Sequence, residues 1–193
     1  MDVDGLTERL IEECMGMDTD DPVKVFRTLI RDEEIPMFSR MHHIIVPLAL
    51  ITAYWNVVRD FDLRSYLNEA ADRAKEVPEM ICGYWGTCGS CVGTGIFMSV
   101  VTRTNPLTRG KRYGQCNSVT SESLAAVAKI GGPRCCKRNA VTSILTACEF
   151  ARTALGAEMH PSTYGCARSD DNPDCLGNRC PYYISSLTVI IDF

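Results

Sequence analysis

The chain has 193 residues, of which 46% are hydrophobic and 23% are charged, and its formal net charge is −4. These proportions are ordinary for a folded globular protein, so they exclude extended disorder, and the acidic balance disfavours nucleic acid as a partner. A chain of this length can bury a core without disulfide bonds. We expect one compact unit, with an N-terminal helical scaffold over residues 1–79 and a cysteine-rich metal-binding region over residues 80–193.

The sequence predicts a cytoplasmic protein with no membrane partner. Its first residues, which include Asp2 and Asp4, are acidic and lack the basic and apolar regions of a secretory signal. The most apolar stretch, residues 44–54, is too short to cross a bilayer. We therefore interpret that stretch as part of a buried helix.

Hydrophobic periodicity and capping residues predict four helices in the first 79 residues. They are expected at residues 6–15, from residue 22 onward, at residues 36–58 and from residue 62 to residue 75. Asp21 is the predicted N-cap of the second helix, with Pro22 at its first position. Pro47 is expected to kink the third helix. His42 and His43 are neighbours there and point about 100° apart, which favours buried or capping roles over metal binding.

The second part of the chain is predicted to alternate helices with Gly- and Cys-rich loops. An apolar helix is expected to begin at about residue 96, a loop covers residues 102–115 and a helix covers residues 121–130. A long helix follows, with Pro133 near its first position and apolar residues at helical spacing up to Leu155. Residues 183–191 are β-branched and compatible with a short C-terminal strand. The predicted fold class is mainly α, with Gly/Cys-rich metal-binding loops.

Eleven cysteines are the unusual feature of the composition. The odd count and the absence of an export signal point to a reducing compartment, where clustered cysteines bind metals or perform thiol chemistry. Cys14 and Cys148 lie at helical core spacing and are expected to be small buried hydrophobic residues. The other nine are the candidate metal ligands: Cys82, Cys88, Cys91, Cys116, Cys135, Cys136, Cys166, Cys175 and Cys180.

The first cysteine group, Cys82-x5-Cys88-x2-Cys91, supplies the predicted core ligands. A C-x2-C pair lets two thiolates converge on one metal across a tight turn. Gly89 and Gly93 are expected to let the backbone approach a bound cluster and donate N–H groups to its sulfides. The predicted fourth ligand is one of three further cysteines, Cys116, Cys135 or Cys136.

Cys135 and Cys136 are predicted to lie at a helix N-terminus. The helix dipole and the flanking Arg134, Lys137 and Arg138 favour a thiolate there, so either cysteine is also a candidate catalytic nucleophile. Adjacent side chains diverge, which argues against both cysteines binding one metal. The three basic residues are predicted to contact a bound anionic cluster or an anionic small molecule.

The wider charge pattern supports that expectation. From residue 103 to residue 138 the sequence has eight Lys or Arg residues and one acidic residue, Glu122. This segment is therefore cationic within an acidic protein, and it suits a thiolate-bound cluster or an anionic ligand.

The second cysteine group is Cys166-x8-Cys175-x4-Cys180, followed by Pro181. A ligating cysteine followed by proline is typical of ferredoxins. We expect this group to bind the same cluster as the first group or a second cluster.

Two motifs of the second half are distinctive. They are Cys82-Gly83-Tyr84-Trp85-Gly86-Thr87-Cys88-Gly89-Ser90-Cys91-Val92-Gly93-Thr94-Gly95 and Gly131-Gly132-Pro133-Arg134-Cys135-Cys136-Lys137-Arg138. They resemble a cysteine-rich domain family of unknown function from methanogenic archaea and anaerobic bacteria, sometimes joined to methyltransferase domains. The resemblance covers the chain from about residue 80 to its end. It implies an anoxic cytoplasm and a methyltransferase partner, and it supplies no activity.

Three functional hypotheses follow from the cysteines. The first is an iron–sulfur protein, with a 4Fe–4S cluster, that acts in electron transfer with a redox partner, in sulfur handling or in metallocofactor maturation. The second is a structural zinc module that recruits a partner. The third is a thiol enzyme with Cys135 or Cys136 as its nucleophile. Whether the protein is an enzyme stays open at this point.

Overall fold

The computed structural model describes residues 1–184. Within that range the protein has eight α-helices and one short 3-10 turn, Gly177–Arg179. The helices are α1 (Val3–Met15), α2 (Pro22–Leu29), α3 (Met41–Val58), α4 (Leu63–Lys75), α5 (Ile81–Tyr84), α6 (Gly89–Val101), α7 (Lys111–Ile130) and α8 (Cys136–Leu155).

The mainly α class is confirmed. In the described residues the β structure consists of one isolated parallel bridge between Cys166 and Tyr183. Of the predicted C-terminal strand, residues 185–191 lie outside the part of the chain that the structure describes.

Aspartate side chains begin three of the first four helices. Asp2 accepts the N–H of Gly5 at the start of α1, and Asp62 accepts the N–H of Ser65 at the start of α4. Asp21 accepts two N–H groups at the start of α2, where Pro22 takes the first helical position as predicted. Each cap satisfies backbone donors that have no partner within the helix, and a cap contributes about 1 kcal/mol.

Helix α3 runs through the centre of the fold. It packs against α1, α2, α4, α6 and α8, and every side chain from Met41 to Ala53 is buried. Within the described residues it is the one helix whose length and composition would suit a membrane span, and 72% of it is buried inside the protein. A fully enclosed core helix has the same all-round apolar composition. His42 and His43 are buried in this helix, as the sequence predicts.

One hydrophobic core joins the two parts of the chain. It includes Leu6 and Phe26 from the first 79 residues and Phe97 and Ile144 from the rest. Cys14 and Cys148 belong to this core, as predicted. Burial raises the pKa of each of these two thiols to about 12, so both stay protonated.

Helices α6 and α7 begin earlier than the sequence pattern predicts. Helix α6 begins at Gly89, inside the expected Gly/Cys-rich loop, and α7 begins at Lys111, inside the expected loop over residues 102–115. A Cβ on Gly95 would lie 2.3 Å from Thr120 Oγ1 of α7. Glycine is therefore needed in α6 for close helix packing, and this packing outweighs its poor helix propensity. Helix α3, in contrast, begins at Met41, later than predicted.

Candidate functional site

Seven of the nine candidate ligands line two cavities at the start of α8. Cys135, Cys166, Cys175 and Cys180 line one cavity, which we call the four-cysteine cavity. Cys82, Cys88 and Cys136 line another, which we call the three-cysteine cavity. The two remaining candidates line neither cavity: Cys91 lies buried behind Cys88, and Cys116 packs from α7 against the hydrophobic core.

The backbone at the start of α8 separates Cys135 from Cys136. Cys135 is the N-cap, with extended dihedrals (φ −141°, ψ 108°), and Cys136 is the first helical residue. The Cys135 sulfur accepts the N–H of Arg138 at 3.5 Å. The two neighbouring thiols therefore face different cavities, which agrees with the expected divergence of adjacent side chains.

The segment after α8 places the other three thiols of the four-cysteine cavity. The N–H of Cys166 donates to the carbonyl of Tyr182 at 2.7 Å, and the Tyr182 hydroxyl lies 2.9 Å from Thr142 Oγ1 on α8. The N–H groups of Cys175 and Cys180 each close a turn, onto the carbonyls of Asn172 and Gly177. The β-bridge and the two turns thus hold these three cysteines around the cavity.

Tyr164 attaches this segment to the helical scaffold. Its ring packs edge-on against Phe26 of α2, with ring centroids 5.9 Å apart, and against Tyr182, with centroids 5.7 Å apart. Tyr164 and Tyr182 also line the four-cysteine cavity. Their rings are therefore apolar walls that reduce access of water to the thiols.

Two buried cations lie beside the four thiols. Lys137 is 1% exposed and Arg138 is 4% exposed, and both line the four-cysteine cavity. Among residues 1–184 the Lys137 Nζ has no hydrogen-bond partner, whereas the Arg138 Nη2 donates to the carbonyls of Gly131 and Pro133, each at 2.8 Å. Burial lowers the pKa of Lys137, and the neighbouring thiols oppose that shift. An unpaired buried ammonium group is costly, so this arrangement calls for an anion in the cavity.

The rest of the cavity wall is consistent with an anionic occupant. Arg168 also lines it and pairs with Asp171. Among the described residues that line the four-cysteine cavity, none is acidic. Lys137 and Arg138 thus lie where the sequence pattern places them, beside candidate thiolates.

Cys88 and Cys91 lie in the same helical turn at the N-terminus of α6. Cys88 is the N-cap of that helix. Its sulfur accepts a hydrogen bond from the Asn139 Nδ2 at 3.5 Å. The neighbouring Cys91 thiol, and after it Asn139, lower the pKa of Cys88, while the neighbouring Cys88 thiol and burial raise the pKa of Cys91. Cys91 Sγ also lies 3.3 Å from Ser143 Oγ.

The thiol with the lowered pKa is therefore not Cys136. Burial raises the pKa of Cys136 to about 11, because its sulfur is desolvated despite its place at a helix N-terminus and the neighbouring Arg134. The expected lowering of the pKa is wrong for Cys136, although Cys135 and Cys136 do lie at the predicted helix N-terminus. Cys88, at the N-cap of α6, has the lowered pKa instead. The C-x2-C spacing before an apolar run could have indicated a thiolate at this helix start. The sequence pattern, however, predicts that the helix begins at about residue 96, after both cysteines.

Gly89 and Gly93 have a packing role in the structure. A Cβ on Gly89 would lie 2.3 Å from the His43 ring, and a Cβ on Gly93 would lie 2.9 Å from Pro47 Cδ. Both glycines allow α6 to approach α3 closely, and Gly89 also lines the three-cysteine cavity. Of the glycines from Gly83 to Gly95, Gly86 alone has a positive φ. The close approach at Gly93 is therefore to helix α3.

Arg134 belongs to the three-cysteine cavity. One Nη of its guanidinium donates to Met80 Sδ at 2.8 Å, and the group lies over the Phe38 ring, 5.0 Å from its centroid. The three basic residues of the motif thus divide between the cavities, because Lys137 lines only the other one.

The cysteines surround these cavities without converging on a point. All eleven are free thiols. Over residues 1–184, no group of three or more His, Cys, Asp or Glu side chains could hold a single metal ion.

A family of unknown function, DUF5714, matches residues 10–183. The chain belongs to this family. No curated protein matches the chain, and no solved structure matches it. The DUF5714 match begins inside α1 and so extends well before residue 80, where the resemblance seen in the sequence began. Both cavities and all eleven cysteines lie within the part of the chain that defines DUF5714.

Proposed function

We propose that this protein binds an iron–sulfur cluster through the thiolates of the four-cysteine cavity, Cys135, Cys166, Cys175 and Cys180. The observation that carries the proposal is the amino group of Lys137, which is 1% exposed and has no partner in the described part of the chain, beside four thiols in one cavity. A cluster held by four thiolates is anionic, and it would supply the counter-charge that this buried cation lacks.

The arrangement of the thiols favours a cluster over a single zinc ion. Four thiolates on one tetrahedral zinc lie about 3.8 Å apart, because each Zn–S bond is about 2.3 Å long. In a 4Fe–4S cluster each thiolate binds a different iron, so the sulfurs lie farther apart and enclose a volume. The four cysteines line one cavity from separate points of its wall, and among the described residues no three such side chains are grouped closely enough to hold one ion.

The chain's own residues would position and tune such a cluster. Lys137 and Arg138 place positive charge against it, which favours its more reduced, more negative state. The rings of Tyr164 and Tyr182 limit access of water to the cavity. The bound cluster would supply one-electron chemistry, so electron transfer to a redox partner is the role that we propose first. Sulfur handling and metallocofactor maturation in an anaerobe remain the other roles for the same site.

The decisive experiment compares iron and acid-labile sulfide in protein purified and reconstituted without oxygen. Cys135→Ala, Cys166→Ala, Cys175→Ala and Cys180→Ala should each lose most of the iron, sulfide and visible absorption of the parent. Cys116→Ala is the matched control, because Cys116 is a half-buried thiol that lines neither cavity, and it should keep the parent content. Parent-like iron in all four variants would contradict the proposal, and stoichiometric zinc without sulfide would favour the structural zinc module instead.

A further inference from the structure

We propose that Cys88 and Cys91 are a redox-active dithiol, separate from the cluster ligands, that exchanges with disulfide substrates in the three-cysteine cavity. Cys88 is the N-cap of α6 and Cys91 follows three residues later in the first turn of that helix, a spacing that puts the two side chains on the same face. Neither lines the four-cysteine cavity. This inference therefore does not depend on the proposed cluster, and the two can fail separately.

The surroundings of Cys88 suit the attacking thiolate of such a pair. Cys88 is the N-cap of a 13-residue helix. Asn139, from α8, donates a hydrogen bond to its sulfur at 3.5 Å. Helix N-termini and such donors stabilise a thiolate and so increase the fraction that can attack a disulfide.

Cys91 has the position of the second, resolving thiol. It is fully buried, whereas Cys88 is 9% exposed and lines the three-cysteine cavity and a neighbouring open groove. A substrate can therefore reach Cys88 but not Cys91. The Cys91 sulfur lies 3.3 Å from Ser143 Oγ of α8, and this contact fixes its position in the same turn as Cys88.

The cavity also offers polar atoms that have no partner among the residues that the structure describes. Asn139 is 6% exposed and its Oδ1 is unpaired, and His43 is 8% exposed with an unpaired Nδ1. Both residues line the three-cysteine cavity together with Arg134. Buried polar groups normally have hydrogen-bond partners, so these free atoms point to a polar ligand next to the Cys88 sulfur.

The substrate disulfide is the only oxidant that the exchange needs. The Cys88 thiolate attacks one substrate sulfur, which forms a mixed disulfide and releases the other substrate sulfur as a thiolate. Cys91 then gives up its proton, and its sulfur attacks Cys88 Sγ. The Cys88–Cys91 bond forms, the mixed disulfide breaks, and the second substrate thiol leaves. The dithiol loses two electrons and two protons, which the substrate disulfide gains.

The test treats the reconstituted, reduced protein with glutathione disulfide, followed by alkylation and peptide mass mapping. We expect a Cys88–Cys91 disulfide with iron content unchanged. Cys91→Ser should stop the reaction at a glutathione adduct on Cys88, and Cys88→Ser should give no adduct at either position. Cys82→Ser is the matched control, because Cys82 lines the same cavity and should not affect the disulfide.

Three results would overturn the inference. They are a disulfide that joins Cys88 to Cys82 or Cys136, unreactive thiols at Cys88 and Cys91, or loss of iron from Cys88→Ser and Cys91→Ser to the extent seen for Cys166→Ala. The mapping of the unsubstituted protein needs no variant, so a variant that fails to fold does not prevent the decision. Absence of iron from the parent would contradict the cluster but would leave the dithiol result intact.

Discussion

Cys135 and Cys136 are joined by one peptide bond, yet each lines a different cavity. The change from extended backbone at the N-cap to helical backbone at the next residue directs the two thiols apart. The start of α8 is therefore a shared wall, with Lys137 on the side of Cys135 and Asn139 on the side of Cys136. A ligand that orders one cavity therefore also orders the start of α8, which is part of the wall of the other cavity.

Replacing Lys137 with Met should stabilise the metal-free protein. The methionine keeps an unbranched, apolar stem in the same space and removes a buried ammonium group that has no partner within residues 1–184. We expect a gain of about 1–3 kcal/mol in the free energy of unfolding, measured by urea denaturation. Lys111→Met, at an exposed position on α7, should change stability little. A metal-free Lys137→Met protein that is less stable than the parent would show that the ammonium group is already satisfied.

The same substitution should have a different effect on the cluster-loaded protein. Removal of a nearby positive charge disfavours the added electron, so the reduction potential should become more negative, on the order of tens of millivolts. Lys137→Arg keeps the charge and should stay close to the parent value. Spectroelectrochemical titration of the three proteins measures this difference. Equal potentials in Lys137→Met and the parent would place the cluster away from Lys137.

Much of the scaffold could be predicted from the sequence, because its signals are local. The N-caps Asp21 and Asp62 and the proline after Asp21 define helix starts without reference to the rest of the fold. The burial of Cys14 and Cys148 follows from helical spacing alone. These features depend on a few neighbouring residues, so sequence reasoning recovers them.

The start of α6 and the partition of the cysteines could not be predicted in this way. Gly93 and Gly95 appear to a sequence pattern as helix breakers, but their missing side chains make room for Pro47 of α3 and Thr120 of α7. Likewise, no spacing rule predicts that Cys135 lines one cavity with Cys166 while Cys136 lines the other cavity with Cys82. Both facts depend on tertiary contacts between segments that are distant in the sequence.

Gly93→Ala should destabilise the protein through this helix contact. The added Cβ would lie 2.9 Å from Pro47 Cδ and 3.1 Å from the His43 carbonyl oxygen, and neither a proline ring nor a backbone carbonyl can move aside easily. Overpacking costs about 1–3 kcal/mol, which exceeds the gain of about 1 kcal/mol from replacing glycine in a helix. The free energy of unfolding should fall accordingly in urea denaturation.

Gly83→Ala is the matched control for that experiment. Gly83 lies in α5, and a Cβ there would have no atom within 4 Å. Its stability should equal or slightly exceed that of the parent. If both alanine variants retain parental stability, the contact between α3 and α6 is looser than the structure indicates.

The pair of His160 and Asp20 should make stability depend on pH. His160 Nδ1 lies 2.7 Å from Asp20 Oδ2, and the His160 N–H donates to the Asp20 carbonyl, so the pair joins the segment after α8 to the start of α2. The hydrogen bond to Asp20, and then its charge, raise the pKa of His160. Because the folded protein holds this proton more tightly than the unfolded chain, the pair stabilises the fold at low pH. That contribution is lost as the pH rises through the raised pKa.

The measurement compares the parent with His160→Gln in urea denaturation at about pH 5.5 and about pH 8.5, on either side of the usual histidine pKa. The parent should be the more stable protein at the lower pH, and the difference should shrink at the higher pH. It should be small and should weaken with added salt, because the His160 side chain is 70% exposed. A difference that grows with pH would mean that neutral His160, and not its ion pair, holds the two segments together.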